Sequence, residues 1–89
     1  MASLKEPILK ILSKTYEPLT MIEQRFARYD MAFRTDEAGR PILLFLGQKD
    51  VNGKIKGERY ARRLVFDKDG NTLKDHWDSK GKASAQNNG

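Results

Sequence analysis

Three segments of this chain share one pattern, an Asp followed three residues later by a Gly: Asp36–Gly39, Asp50–Gly53 and Asp67–Gly70. No other feature narrows the fold as much. An Asp at the first turn position accepts backbone N–H bonds, and a Gly takes the left-handed conformation that closes a hairpin. The segments between these turns have the composition of strands. Tyr29, Met31 and Phe33 alternate with Asp30, Ala32 and Arg34, the pattern of a half-buried strand. Residues Ile42 to Leu46 are apolar on both faces and predict a central strand. Ile55 to Phe66 reads as a long third strand and Thr72 to Asp78 as a fourth. Three hairpins in series predict a four-stranded antiparallel β-meander.

The N-terminal region has a different period. Leu4, Ile8, Ile11, Leu12 and Tyr16 fall at helical spacing and form one apolar stripe. Ser3 and Glu6 have capping-box spacing, and Pro7 suits a first helical turn. Pro18 ends this helix or begins a second one, because the residue before a proline disfavours helix. Residues 18–26 fit either reading. Leu19, Ile22 and Phe26 have the spacing of a short helix, whereas Met21, Glu23, Arg25 and Ala27 lead into a strand. The expected fold class is therefore α+β: one N-terminal helix, or two, packed on the meander. Residues 1–78 form the expected single domain. Residues 79–89 contain no Leu, Ile, Val, Phe, Met, Trp or Tyr and are expected to be a disordered tail.

Register decides which way each strand faces, and a slip of one residue inverts it. A three-residue loop in the first hairpin pairs Phe33 with Leu43 and Met31 with Phe45. Asn52-Gly53 is a strong two-residue turn signal and pairs Phe45 with Tyr60 and Leu43 with Arg62 in the second. One face then carries Tyr29, Met31, Phe33, Leu43, Phe45, Tyr60, Leu64 and Phe66 beneath the helix. With a three-residue loop in the third hairpin, Asp75 opposes Arg63. The other face then gathers Arg34, Ile42, Leu44, Leu46, Arg59, Ala61, Arg63, Val65, Leu73 and Trp77. Such a surface is too apolar for a plain solvent face and too cationic for a core, which marks an interface. A three-residue loop at Asp50–Gly53 would turn the third strand over and mix the two faces.

Charge points to the same strand. The chain has 17 Lys and Arg against 12 Asp and Glu, a net charge of +5. Lys54, Lys56, Arg59, Arg62 and Arg63 against Glu58 place +4 of it between Lys54 and Phe66. Two function classes follow. The first is a non-enzymatic protein-interaction module that uses Leu44, Leu46, Arg59, Arg63 and Trp77 to bind another protein or a second copy of itself. The alternative is a binder of single-stranded nucleic acid or another polyanion through Lys54, Lys56, Arg59, Tyr60, Arg62 and Arg63. There the cations neutralise phosphates and a ring stacks on bases.

Other chemistries find less support. The chain has no Cys and a single His, which argues against thiol chemistry and transition-metal sites. No catalytic residue, metal or cofactor is expected. The sequence Asp67-Lys68-Asp69-Gly70-Asn71 looks superficially like a calcium loop, but its Gly falls at the fourth position and a hairpin turn accounts for it. The apolar stripe at the N-terminus, with Lys5, Lys10 and Lys14 opposite, is what a helix covering a sheet requires, so no membrane binding is expected. A small domain free of Cys and of a long apolar run reads as soluble and cytoplasmic.

Overall fold

A computed structural model describes residues 4–84. A short helix, α1 (Glu6–Leu12), precedes five strands: β1 (Met21–Phe26), β2 (Tyr29–Thr35), β3 (Pro41–Lys49), β4 (Ile55–Phe66) and β5 (Thr72–Ser84). The strands form one antiparallel sheet in the order β1-β2-β3-β4-β5. The class is α+β, as expected, with five strands instead of four. The extra strand is β1, so residues 21–26 are strand and not a second helix. The expected tail is also corrected, because β5 continues six residues past Asp78 to Ser84. Residues 85–89 of that tail, and the Ser3 half of the capping box, lie outside the described residues. No helix among the described residues is long and apolar enough to cross a membrane.

All three Asp–Gly turns form, with one geometry. The first Oδ1 of Asp36, Asp50 and Asp67 accepts the amides two and four residues on, at 2.8–3.0 Å. Gly39, Gly53 and Gly70 have φ of 81°, 82° and 86°. At Gly39 a second constraint applies: a Cβ there would run into the Tyr16 carbonyl. The Tyr16 amide donates to the Gly39 carbonyl at 2.8 Å, so the segment after α1 is pinned to this turn.

The registers differ from expectation in each hairpin. The first loop has three residues, and Thr35 pairs with Pro41, but a bulge follows and Phe33 meets Leu44 instead of Leu43. Pro41 has no N–H to donate, and prolines in sheets sit at strand starts and bulges for that reason. The second loop also has three residues: the Asp50 amide bonds to the Lys54 carbonyl at 2.8 Å, and Leu44 pairs with Tyr60. In the third hairpin Phe66 pairs with Thr72, then a bulge omits Leu73 and Val65 meets Lys74. The first two shifts compensate, so Tyr60 still faces the helix while β3 is inverted.

The core lies between α1 and one face of the sheet. Ile8 and Leu12 of the helix meet Met31, Phe33, Leu44 and Tyr60, all at most 4% exposed. Leu46, Ile22, Phe26 and Trp77 border them. Tyr16 sets its ring edge-on to Phe33 at 5.0 Å and donates its hydroxyl to the Ile11 carbonyl. The polar group buried here, Thr35, is satisfied: its Oγ1 accepts the Thr20 amide and donates to the Glu17 carbonyl.

Candidate functional site

Away from α1, the opposite face of the sheet has no helix against it among the described residues. Its floor is a second, smaller cluster of Ala32, Phe45 and Ile55, with Leu43 beside it. These residues are covered by the sheet's own curl. Gly47 and Gly57 pair directly across the β3–β4 hairpin, and a Cβ on either would strike the opposing backbone, so the strands approach unusually closely. The hairpin bends so that Asn52 and Lys54 share a cleft with Met21 and Glu23 of β1, and Lys49 Nζ bonds Glu23 Oε1 at 2.9 Å. The open face is therefore concave.

The register places a triangle of arginines on it. Arg34 pairs with Leu43, Leu43 with Ala61, and Arg59 and Arg63 flank Ala61 on the same side of β4. Standard strand dimensions put the Arg59 and Arg63 backbones about 13 Å apart and Arg34 about 12 Å from each, two strands over. All three are exposed, and none makes a salt bridge among the described residues. The carboxylates of this face are already engaged. Glu23 holds Lys49, Asp30 accepts the Lys49 amide at 2.9 Å, and Asp78 accepts from His76 Nε2 at 3.1 Å. The face therefore presents three arginines without ion pairs around Leu43 and Ala61.

The expected sites are redistributed by the registers. Of the interaction set, Arg59 and Arg63 stand on the open face, while Leu44, Leu46 and Trp77 point to the helix side. They do not form one surface. In the polyanion set, Tyr60 is only 4% exposed and no ring there is free to stack. Lys54 and Lys56 lie at the β3–β4 tip, with Lys56 Nζ 3.6 Å from Asp50. Arg62 is inside the structure. Its Nε and Nη2 bond both oxygens of Asp75 at 2.7 and 2.9 Å, and its Nη1 reaches the carbonyls of Pro41 and Leu12. Asp75 thus bonds Arg62 and lies opposite Leu64, not Arg63. The guanidinium beside it outweighs partial burial and holds the Asp75 carboxyl below the ordinary carboxylate range.

Arg34 was expected on this face beside Arg59 and Arg63, though not as a binding residue. Leu43 and Phe45 were expected beneath the helix, and the bulge after Arg34 turns them to the open face. A second concavity lies on the helix side at the outer edge of β5, a groove of about 690 Å³ whose walls include Leu4, Leu9, Leu12, Asp75, Trp77 and Ser79. Arg62 sits 5.8 Å from the Trp77 ring there. His76 has no second histidine beside it, and no group of three or more metal-ligating side chains occurs among the described residues.

Comparison with known proteins finds no matching family model, no matching curated protein and no matching solved structure.

Proposed function

We propose that this protein is a non-enzymatic interaction module whose open sheet face binds an acidic segment of a partner protein. The observation that carries the reading is that Arg34, Arg59 and Arg63 make no salt bridge among the described residues, while Glu23, Asp30 and Asp78 on that face are each hydrogen-bonded elsewhere. Cations left exposed around the half-buried Leu43 and Ala61 favour a partner that brings carboxylates to the rim and small apolar side chains to those two residues. A protein segment fits better than a nucleic acid, because the rings that stacking would use are elsewhere: Tyr60 is in the core and Trp77 is on the helix side. The absence of Cys from the sequence is consistent with a cytoplasmic setting for this binding.

The test is titration of the labelled protein with a poly-glutamate peptide at low salt, with oligo-dT as the competitor. Amide shifts in the two-dimensional spectrum are expected at Arg34, Leu43, Arg59, Ala61 and Arg63. The double substitution Arg59→Ala and Arg63→Ala is expected to weaken peptide binding by about tenfold, at charge-pair coupling energies typical of partly exposed sites. Tighter binding of oligo-dT on the same face would replace the protein partner with a nucleic acid. Shifts confined to other surfaces would remove the reading.

A further inference from the structure

We propose that the outer edge of β5 pairs with β5 of a second copy, antiparallel and centred on His76, extending the sheet to ten strands. This does not rest on the proposed acidic partner, which uses a different surface.

Three observations converge on it. β5 is the last strand in the sheet order and, at 13 residues, its longest, so the backbone groups along its outer side have no strand partner among the described residues. Unpaired edges of this kind template pairing with another chain. The regular part of β5 is bracketed by bulges, one at Thr72 to Lys74 and one at Ser79 to Lys82 where Gly81 has φ 86°. That leaves Lys74 to Ser79 as the segment able to form a new ladder.

Its charge order is self-complementary. A two-fold axis perpendicular to the sheet opposes residues of the same face, so the pairing must be centred on a residue. Centred on His76, Lys74 opposes Asp78 of the copy, twice, on the open-face side, and Asp75 opposes Trp77, twice, on the helix side. Centred on Trp77, the segment pairs His76 with Asp78 and Asp75 with Ser79 and leaves Lys74 outside the ladder; centres at Lys74, Asp75 or Asp78 oppose that charged residue with itself, and a centre at Ser79 keeps no other pair within the segment. Like charges directly opposite destabilise a ladder and opposite charges support it, so the two Lys74–Asp78 pairs favour His76 as the centre.

The groove beside this edge supplies the third observation. Leu4, Leu9, Leu12 and Trp77 line it on the helix side, where no strand flanks β5 among the described residues. A second copy across the edge brings its own groove against the first, so the apolar walls of both meet at the axis. The same operation leaves the two arginine faces on one side of the joined sheet, which doubles the cationic surface.

Sedimentation of the full chain should show a concentration-dependent doubling of mass. Lys74→Asp sets two carboxylates opposite each other and should weaken the dimer by about tenfold. Asp78→Lys should do the same, and the combined charge swap should restore it. Because the chain has no Cys, register can be read directly. Residues opposed on the axis have Cα atoms about 4.5–5.5 Å apart, within disulfide reach. His76→Cys should therefore oxidise to a crosslinked dimer, while Lys74→Cys, whose copies stand about 13 Å apart along the strands, should not. A monomer at all concentrations overturns the proposal. So does a dimer that ignores both charge changes and fails to crosslink at position 76.

Discussion

Arg62 and Arg63 are chemically identical neighbours with opposite fates. Arg62 ties β4 to β5 through Asp75, to the start of β3 through Pro41 and to the end of α1 through Leu12. Its side chain is 9% exposed. Arg63 stands on the open face. Replacing Arg62 with Met keeps the bulk of the side chain but strands a carboxylate and two carbonyls. The expected cost is about 2–4 kcal/mol, discounted from a fully buried pair because Asp75 is partly solvated. Arg63→Met should stay within about 0.5 kcal/mol. Urea unfolding of the two variants measures the contrast. Alternation alone says that these residues face opposite ways. The expected registers set Arg62 on the helix side and Arg63 on the open face, and that assignment holds because the shifts of the first two hairpins cancel.

At the scale of elements, legibility followed the local code. The three Asp–Gly turns could be read because one side chain and one glycine build each of them without outside help. The β1–β2 turn could not. It joins Phe26 to Tyr29 through Ala27 and Arg28, and Ala27 takes φ 55° with no Gly or Asn to announce it. The strand forms because Ile22 and Phe26 reach the core and the Thr20 carbonyl accepts the Thr35 amide at 3.0 Å, gains that lie in the tertiary structure. Ala at positive φ costs about 1–2 kcal/mol, and glycine at the same place loses about 0.5–1 kcal/mol in chain entropy. Ala27→Gly is thus expected to stabilise the protein by about 0.5–1 kcal/mol, seen as a higher thermal midpoint. The bulges were illegible for a related reason. Pro41 marks one of them chemically, but nothing near Leu73 distinguishes a paired residue from an omitted one.

For the molecule as a whole, four carboxyls link stability to pH in the same direction. Asp50 and Asp67 are held below the ordinary range by the amides of Lys54 and Asn71, and Asp75 by Arg62. Burial pulls Asp36 upward, but the Arg40 and Ala38 amides and the Arg40 guanidinium more than offset it. A depressed carboxyl contributes stability that is present in full above its unfolded value, near 4. That contribution is lost as the pH falls through the lower folded value. The thermal midpoint should therefore change little from pH 7 to 5 and drop as the pH falls from 4 toward 2, with Asp75→Asn showing a shallower decline. The net charge of +5 belongs to the whole chain, yet its functional share depends on location. Of the four cations in β4, Arg59 and Arg63 stand on the open face, joined by Arg34 from β2. By itself the sequence determined the α+β class, the three turns, the strands they join and the apolar helix stripe, because each is set by interactions a few residues apart. The fifth strand, the three bulges and the facing of β3 and β5 were decided by tertiary structure. A strand's facing inverts with a single residue, and only the competition to bury Phe33, Leu44 and Tyr60 under α1 selects one register.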